Sequence, residues 1–373
     1  MQRRTFLRTS IAAGLVGAGG TALAPRLLDA APHRRPRGPI RLSSNENPLG
    51  ISPLARQAII DQMGDANRYP RGRGELIEAL TTKHGMPAET FVIGAGSTEV
   101  LKMAVQALAA PSGTLVLAYP TYEDAPWYAG PFDIRQEEVP LLPDGAHDLE
   151  RMQEAATAAH GTVLVYLCNP NNPTGTLTPS ADVDAWIESA PENTYFLVDE
   201  AYYDYVRDTR YWSALKWVPD RPNVIVARTF SKVYGMAGIR LGYAITHPET
   251  AARVRRLRVR NNANHFAIVA GLASLRDPDF VRQSLDVNER GKAILYRCLD
   301  ELGLAYVPSH TNFVMHRISG ELQAYSRRMR EMGIWVGRPF PPMLDHCRLS
   351  IGTPAEMEAF AEVLRSFRQE GWV

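Results

Sequence analysis

A single lysine, Lys232, follows directly on a predicted buried strand, where an amine can act as a nucleophile. The segment NVIVAR is short, β-branched and bounded by Pro222, so it predicts a strand that ends just before TFSKVYGMAGIRLGY, residues 229–243. A buried lysine sheds its proton near neutral pH and can then attack a carbonyl carbon. A lone lysine in a loop is usually a solvated charge. Whether Lys232 has a chemical role therefore depends on the residues that follow the other predicted strands.

A glycine-containing turn follows another predicted strand, FVIG. Ala95, Gly96 and Ser97 lead from it into a helix predicted from Thr98. Free N–H groups and the positive end of the helix dipole make such a turn an anion site that suits a phosphate. The turn matches neither a Walker nor a dinucleotide fingerprint, and an ordinary strand-to-helix connection has the same composition.

Aromatic and polar side chains follow the next predicted strands. Tyr122 in YPTYEDAPWY offers a ring to a planar ligand, and Asn172 in LCNPNNPTG offers a donor from a loop held by two Asn-Pro pairs. In FLVDEAYYDY, Asp199 closes an apolar strand and Tyr202 lies three residues on. A buried carboxylate needs a partner, either an arginine of the core or the protonated ring nitrogen of a cofactor.

Together these strand ends describe a pyridoxal phosphate site. The strands of an open α/β sheet place their ligand at their carboxyl ends, so the four segments converge there. A phosphate turn, a stacking ring, an amide donor, an acid and a lysine amine match the parts of this cofactor. Lys232 would form a Schiff base with its aldehyde.

The elements that must position these residues alternate between strands and helices from Ile40 to about His247. Continuous apolar strands separated by helices predict an α/β fold with a mostly parallel sheet covered on both faces. Two long helical stretches follow, 253–276 and 279–302, and then strands and a terminal helix from Pro354, typical of a smaller α+β domain. We assign 32–48 to an N-terminal arm, 49–250 to the large cofactor-binding domain and 251–373 to the small domain.

Composition limits the partners. The 373 residues carry 41 Lys plus Arg against 40 Asp plus Glu, which argues against nucleic acid and leaves small charged substrates. The three cysteines, Cys168, Cys298 and Cys347, are widely spaced, form no metal-ligand group with histidine and are predicted to lie in the core. No metal is expected.

The N-terminus MQRRTFLRTSIAAGLVGAGGTALAP resembles a twin-arginine export signal, with Arg3 and Arg4 before a mildly apolar run. That run has about 14 residues, fewer than the ~20 needed to span a bilayer, so no stable membrane span is expected. We assign 1–31 to the signal and linker, with the cleavage site open. The protein is then expected outside the cytoplasm, periplasmic or extracellular, or in the cytoplasm if the signal is not used.

The motifs resemble those of a known family. NENPLG, GAGSTEV, PTY, CNPNNPTG, DEAYYDY, TFSKVYGMAGIRLGY and RLSIGTPAEM are similar to segments of fold-type I pyridoxal phosphate enzymes, the class I/II aminotransferases of the histidinol-phosphate aminotransferase branch. The resemblance runs from Leu42 to the C-terminus. It implies an aspartate aminotransferase-like fold with a sheet of the seven-stranded type, amino transfer from an L-amino acid to a 2-oxo acid, and a homodimer.

The resemblance also implies roles around the cofactor ring. Lys232 would hold the cofactor and move a proton, while Asp199 would keep the ring nitrogen protonated. Asn172 and Tyr202 would hydrogen-bond to the ring O3′, and Tyr122 would stack on the ring.

Further roles concern the phosphate and the substrate. The implied phosphate ligands are Ala95, Gly96, Ser97, Ser231, Arg240 and, from the neighbouring subunit, Tyr69. Arg348 would bind the substrate α-carboxylate, with Asn45 and Arg338 also near the substrate.

The family pattern is broken at one substrate position. Histidinol-phosphate enzymes usually carry an arginine after the GIxV segment, but GIWVGRPFPPM has Gly337 there and Arg338 one residue later. The donor therefore stays open between histidinol-phosphate-like and aromatic compounds, and export would separate the enzyme from the cytoplasmic intermediates of histidine biosynthesis. The alternative functions are a decarboxylase or lyase of the same fold, similar to threonine-phosphate decarboxylase, and a cofactor-binding protein without activity.

Overall fold

The computed structural model describes residues 38–373. The predicted export signal and the first part of the predicted N-terminal arm lie outside the described residues. No helix between residues 38 and 373 has the length and apolar character needed to cross a membrane.

Strands and helices alternate through the first two thirds of the described chain, as predicted. The strands are β1 (Ile40–Leu42), β2 (Phe91–Gly94), β3 (Thr114–Tyr119), β4 (Arg135–Pro140), β5 (Val163–Cys168), β6 (Thr194–Asp199), β7 (Val224–Thr229), β8 (Gly242–Thr246), β9 (Tyr306–Val307), β10 (Phe313–Arg317), β11 (Ile334–Val336) and β12 (His346–Ser350). The α-helices are α1 (Pro53–Asp61), α2 (Arg73–His84), α3 (Ser97–Ala109), α4 (Asp124–Ala129), α5 (Leu149–Ala158), α6 (Ser180–Ser189), α7 (Pro248–Arg255), α8 (His265–Leu275), α9 (Pro278–Leu302), α10 (Leu322–Glu331) and α11 (Pro354–Gln369).

A seven-stranded sheet forms the centre, in the order β2-β8-β7-β6-β5-β3-β4. Five of its strands run parallel to their neighbours, and only β8 is antiparallel, to β2 and β7. Every residue of β5 and β7 is buried, because helices cover both faces of the sheet. The predicted α/β fold with a mostly parallel sheet is confirmed.

Alternate residues of the strands feed two hydrophobic cores, one on each face of this sheet. Ile93, Val165 and Val226 belong to one core. Their chain neighbours Leu164 and Ile225 belong to the other, together with the apolar face of α3.

A smaller α+β part follows and has a core of its own. Strands β12, β10 and β9 form an antiparallel sheet, and β1 pairs in parallel with β11. Leu42, Leu299, Tyr325 and Phe360 meet in its hydrophobic cluster. The domain limits at 48/49 and 250/251 stay predictions; α8 packs against the core of the large sheet.

The helical stretch predicted at 253–276 is in fact two helices. Helix α7 ends at Arg255 and α8 begins at His265. Between them Asn261 takes a positive φ of 57°, and the Asn264 side chain accepts the Ala267 N–H as the cap of α8. The helical prediction for 279–302 and the start of the terminal helix at Pro354 agree with α9 and α11.

The strand ends converge as the topology requires. Residues Gly94, Tyr119, Cys168, Asp199 and Thr229 end strands at one edge of the sheet, because β2, β3, β5, β6 and β7 point the same way. The loops that carry the predicted site residues leave from this edge.

Candidate active site

Two cavities meet at the carboxyl edge of the central sheet. The larger, of about 740 Å³, lies between the loops of this edge and the smaller part of the chain. The smaller, of about 120 Å³, lies deeper against the strand ends. Tyr122, Asn172 and Lys232 line both, so the lysine stands where the two cavities join.

Lys232 lies three residues past the end of β7 and is half-buried. Its Nζ is 3.5 Å from the Asn45 carbonyl oxygen and 5.5 Å from the centre of the Tyr202 ring. Burial, reinforced by the positive charge of Arg348, lowers the pKa of Lys232 to about 8. Near neutral pH a sizeable fraction of this amine is therefore unprotonated and able to attack a carbonyl carbon.

Asp199 closes β6 and is only 2% exposed. Burial raises its pKa to about 6, against the opposing effect of a hydrogen bond from Tyr166. Within residues 38–373 no arginine or lysine forms an ion pair with it, and the neighbouring Glu200 instead pairs with Arg228 at 2.7 Å. Of the two partners expected for Asp199, a core arginine is thus excluded in the described chain, and a cationic ligand would complete the site.

The free N–H groups of the predicted anion-binding turn begin at Ser97, two residues after its predicted start at Ala95. The Ala95 N–H donates to Glu99 and the Gly96 N–H to the Gly94 carbonyl, so neither is available to a ligand. Ser97 and Thr98 are the first two residues of α3, whose N–H groups have no acceptor within the helix. Both line the smaller cavity.

Arg240 packs directly on this turn. It takes a positive φ of 66°, and its Nη1 donates to the Ala237 carbonyl at 3.0 Å and to Ser231 Oγ at 3.4 Å. A Cβ atom at Gly96 would stand 2.8 Å from the Arg240 Cζ atom, and the positive φ of 82° at this residue favours glycine. Ser97, Ser231 and Arg240 therefore form a cradle with hydroxyl, amide and guanidinium donors around one end of the smaller cavity.

Arg348 on β12 reaches into the larger cavity. Its Nη1 donates to Asn172 Oδ1 at 2.7 Å and its Nη2 to the Ser43 carbonyl at 3.1 Å, which leaves the Asn172 amide nitrogen as a donor. Its Nε is buried without a hydrogen-bond partner. Burial lowers the pKa of Arg348 to about 10, so the guanidinium remains charged at neutral pH.

Asn45, in the cavity wall, forms hydrogen bonds to three separate segments of the chain. Its Nδ2 donates to the Tyr202 hydroxyl at 3.1 Å, its Oδ1 accepts from Ser350, and its carbonyl accepts from Asn312. Both polar ends of the Asn45 side chain are thus already engaged within the protein.

The remaining predicted residues divide between the cavity and the surface. The Tyr122 hydroxyl donates to Asp124 at 2.7 Å, which fixes its ring in the wall of both cavities. Arg338 lines the larger cavity and pairs with Glu123 across its mouth. Tyr69 is 81% exposed and lines neither cavity of the single chain.

Several residues at the site were missed from the sequence. Tyr166 and Cys168 lie on β5 beside Asp199, and Arg327 and Arg330 of α10 line the outer end of the larger cavity. The alternation of β5 places Tyr166 and Cys168 on one face, but the sequence does not show that β6 is the neighbouring strand. The spacing of three residues between the two arginines is the only signal for their common face.

The residues present fit pyridoxal phosphate. The cradle supplies neutral and cationic donors for a phosphate, the unpaired buried acid suits a protonated ring nitrogen, and Lys232 supplies an amine between them. The Nε of Arg348 has no hydrogen-bond partner and could donate to a substrate carboxylate.

Comparisons with known proteins agree with this geometry. The family model for aminotransferase class I and II matches residues 37–364. The chain belongs to this family.

Individual relatives are similar over almost the whole length. The chain is 38% identical to histidinol-phosphate aminotransferase 1 of Nitrosococcus oceani over 90% of each chain. It is 36% identical to an aromatic amino acid aminotransferase of Thermobifida fusca, over 91% of this chain and 96% of that one. The histidinol-phosphate aminotransferase of Sinorhizobium meliloti, solved in complex with pyridoxal 5′-phosphate, superposes with a TM-score of 0.83 at 29% identity, covering 90% of this chain and 92% of that one.

These findings confirm the main predictions. The chain is a pyridoxal phosphate-dependent aminotransferase with an aspartate aminotransferase-like fold.

The prediction of export by a twin-arginine route is wrong. The family's relatives include many histidinol-phosphate aminotransferases, and an exported enzyme would not meet the cytoplasmic intermediates of histidine biosynthesis. The arginine pair on which the prediction rested lies outside the described residues. The argument from export against a phosphorylated substrate is lost with it.

Proposed function

We propose that this aminotransferase moves the amino group of an anionic amino donor to a 2-oxo acid in the cavity around Lys232. One observation carries the proposal: a lysine with a lowered pKa, a buried acid without a cation and an arginine with an unpartnered Nε converge there. When bound, pyridoxal phosphate supplies an aldehyde for the amine and a ring that accepts electrons from the substrate α-carbon.

Four residues would hold the cofactor phosphate. The N–H groups of Ser97 and Thr98 point from the start of α3, where the helix dipole favours an anion. The Ser231 hydroxyl and the Arg240 guanidinium complete the cradle. Gly96 contributes by its lack of a side chain, and Ala95 by leading the chain into the turn.

Four others would hold the ring. Asp199 would keep a proton on the ring nitrogen, and Tyr122 would cover one face of the ring with its own. The free amide nitrogen of Asn172 and the hydroxyl of Tyr202 would donate to the ring oxygen. Asn45 would position Tyr202 through their hydrogen bond.

Lys232 would have two tasks. Its unprotonated amine would bond to the cofactor aldehyde until the substrate amine replaces it. Once released, the same Nζ would take a proton from the substrate α-carbon and return it to the cofactor side. A pKa lowered to about 8 suits both tasks, because the amine can give up and accept a proton near neutral pH.

Arg348 would orient the substrate. Its fork of donors suits a carboxylate, and its Nε is still free to donate. Asn172 and the Ser43 carbonyl hold the guanidinium in place before any substrate arrives.

The outer end of the larger cavity supports a donor that carries a phosphate group. Arg327, Arg330 and Arg338 line it, and within residues 38–373 only Glu123, paired with Arg338, supplies a carboxylate to its wall. Gly337, where the family pattern has arginine, lies so close to the Arg348 carbonyl that any Cβ would clash. We infer that the positive charge comes from α10 instead, and that histidinol phosphate is a suitable donor.

Aromatic amino acids are a second candidate class. The relative from Thermobifida fusca is named an aromatic amino acid aminotransferase. The rings of Tyr122 and Phe340 in the cavity wall would pack against an aromatic side chain.

A homodimer is proposed as the working unit. Leu54, Ile60, Met63 and Tyr69 are all more than half exposed within one short stretch of the chain. Such an apolar group is typical of a surface that another protein covers. A second copy would also bring Tyr69 to a site, since in its own chain this tyrosine lines neither cavity.

The test is a panel of amino donors against 2-oxoglutarate and pyruvate, with formation of the new amino acid from the acceptor as the readout. The panel includes histidinol phosphate, glutamate and aromatic amino acids. We expect turnover with the phosphorylated donor and loss of rate in Arg327→Gln/Arg330→Gln for that donor alone. An equal loss of rate in Arg327→Gln/Arg330→Gln for histidinol phosphate and for unphosphorylated donors would contradict a phosphate site at α10, and turnover only with aromatic donors would favour the second candidate.

A further inference from the structure

Asp199 receives its hydrogen bonds from two groups. Its Oδ1 accepts the Ala201 N–H at 3.1 Å, and its Oδ2 accepts the Tyr166 hydroxyl at 3.0 Å. Among residues 38–373, Tyr166 is the only side chain that donates to this carboxylate. The carboxylate in the wall of the smaller cavity thus receives its side-chain hydrogen bond from a neutral donor.

The sheet brings Tyr166 to this carboxylate. Strands β5 and β6 are parallel, with Tyr166 opposite Leu197 and Cys168 opposite Asp199. Residues diagonal to each other on one face of a sheet lie within reach of a tyrosine side chain. Tyr166 is 0% exposed, so its hydroxyl cannot hydrogen-bond to bulk water instead of Asp199.

A hydroxyl that can only donate to this oxygen stabilises its ionised form. Burial acts against the charge of Asp199 and raises its pKa, and the Tyr166 hydrogen bond is the largest effect that lowers it again. Burial, reinforced by the negative charge of Asp199, raises the pKa of Tyr166, which stays protonated and remains a donor.

We propose that Tyr166 is a positioning residue of the aminotransferase: its hydroxyl keeps Asp199 ionised at the cavity wall and so keeps the cofactor's ring nitrogen protonated. The inference rests on the role proposed for Asp199. Without the hydroxyl, the carboxylate is a stronger base, and the proton on the ring nitrogen passes to Asp199. The ring then becomes neutral and withdraws electrons less strongly from the substrate α-carbon.

The experiment uses the full protein loaded with pyridoxal phosphate that carries ¹⁵N in the ring. The ¹⁵N chemical shift, followed against pH, reports the proton on that nitrogen. In Tyr166→Phe we expect the nitrogen to lose its proton at a pH lower than in the wild type by about one unit or more. We expect kcat to fall roughly tenfold while KM stays within about twofold, because the substrate contacts are untouched.

A matched control is Tyr325→Phe, which removes another fully buried hydroxyl, one without a hydrogen-bond partner, in the core of the smaller part. It should leave the ¹⁵N profile unchanged. If Tyr166→Phe does not bind the cofactor, 3-fluorotyrosine placed at position 166 provides the opposite test, since its more acidic hydroxyl donates more strongly and should raise the pH of proton loss.

Asp199→Asn separates this inference from the function on which it rests. If the ring nitrogen keeps its proton in Asp199→Asn, the role proposed for Asp199 is wrong. If Asp199→Asn removes the proton while Tyr166→Phe and the fluorotyrosine protein follow the wild-type profile, only the inference on Tyr166 is overturned.

Discussion

Burial is the largest effect on the pKa values of two groups of opposite charge, Lys232 and Asp199. Burial favours the neutral form of each, so the pKa of the lysine falls to about 8 and that of the aspartate rises to about 6. Neither is neutralised by an ion pair within residues 38–373. Asp199 therefore remains available to pair with a cationic ring, and Lys232 remains available to react with an aldehyde.

The pH dependence of cofactor capture follows from the lysine. Because only the unprotonated amine attacks an aldehyde, the rate at which cofactor-free protein bonds to pyridoxal phosphate should rise as the pH is raised through about 8. An ordinary lysine would give a rise near ~10.4. Stopped-flow absorbance on the cofactor-free protein measures this, and a rise confined to pH values above 10 would show that Lys232 is not the reacting amine.

Arg348→Gln tests the substrate contact. Loss of a charged double hydrogen bond should raise KM for the amino donor by about 10- to 100-fold, with a smaller effect on kcat. Arg317→Gln, at the exposed end of β10, is the matched control and should leave KM unchanged. An equal loss in both variants would mean that general charge, and not this contact, binds the donor.

Individual residues were predictable from the sequence where they follow a buried strand. Lys232, Asn172 and Asp199 could be found because each stands just after or at the end of an apolar run. Tyr166 could not be found in this way, because it lies inside such a run. Its hydroxyl contacts Asp199 on β6, and the sequence does not show that β5 and β6 are neighbours.

The strands and helices were predictable because their signals are local. Continuous apolar runs became β5, β6 and β7, whereas the order of the strands depends on long-range packing that no short segment encodes. The break between α7 and α8 was missed because it depends on contacts with residues far away in the sequence. The Asn262 side chain donates hydrogen bonds to the Ile93 carbonyl and the Glu99 carboxylate. That contact fixes a non-helical turn in a stretch with helical composition.

The loop after β11 gives a prediction at this scale. A Cβ atom at Gly337 would collide with the Arg348 carbonyl on β12, so Gly337→Ala should force the two segments apart. We expect a loss of about 1–3 kcal/mol in the free energy of unfolding, together with weaker donor binding. Thermal and denaturant unfolding measure the change.

Gly74 in α2 is the control for that variant. Nothing lies within 4 Å of a Cβ added there, so Gly74→Ala should be neutral or stabilising by up to about 1 kcal/mol. If Gly337→Ala is as stable as Gly74→Ala, the close approach of the two segments is not a constraint.

The whole molecule brings the site together from distant segments. Asn45 from the start of the described chain joins Tyr202 of the large sheet region to Ser350 of the smaller part. A motion of one part relative to the other would thus displace Asn45 in the cavity wall. The sequence predicted the two parts, but not this joint, because Asn45 lies in a short polar segment without periodicity.

The proposed dimer is tested at the same scale. Sedimentation should give twice the mass of the 41.4 kDa chain, and Ile60→Asp should shift it toward the monomer by placing a charge in the exposed apolar group. Activity should fall with dissociation, since Tyr69 then reaches no partner site. A fully active monomer would contradict the shared site.

The central claim is that Lys232 performs amino transfer in this cavity, and one measurement tests it most directly. The purified protein is loaded with pyridoxal phosphate and mixed with histidinol phosphate, glutamate and aromatic amino acids in turn, while the cofactor absorption is recorded. We predict that at least one donor removes the absorption band of the lysine-bound cofactor, that a 2-oxo acid restores it, and that Lys232→Ala with an intact fold slows the exchange by roughly 10²–10⁴-fold or more. No change with any donor, or an unaltered rate in Lys232→Ala, would contradict the account.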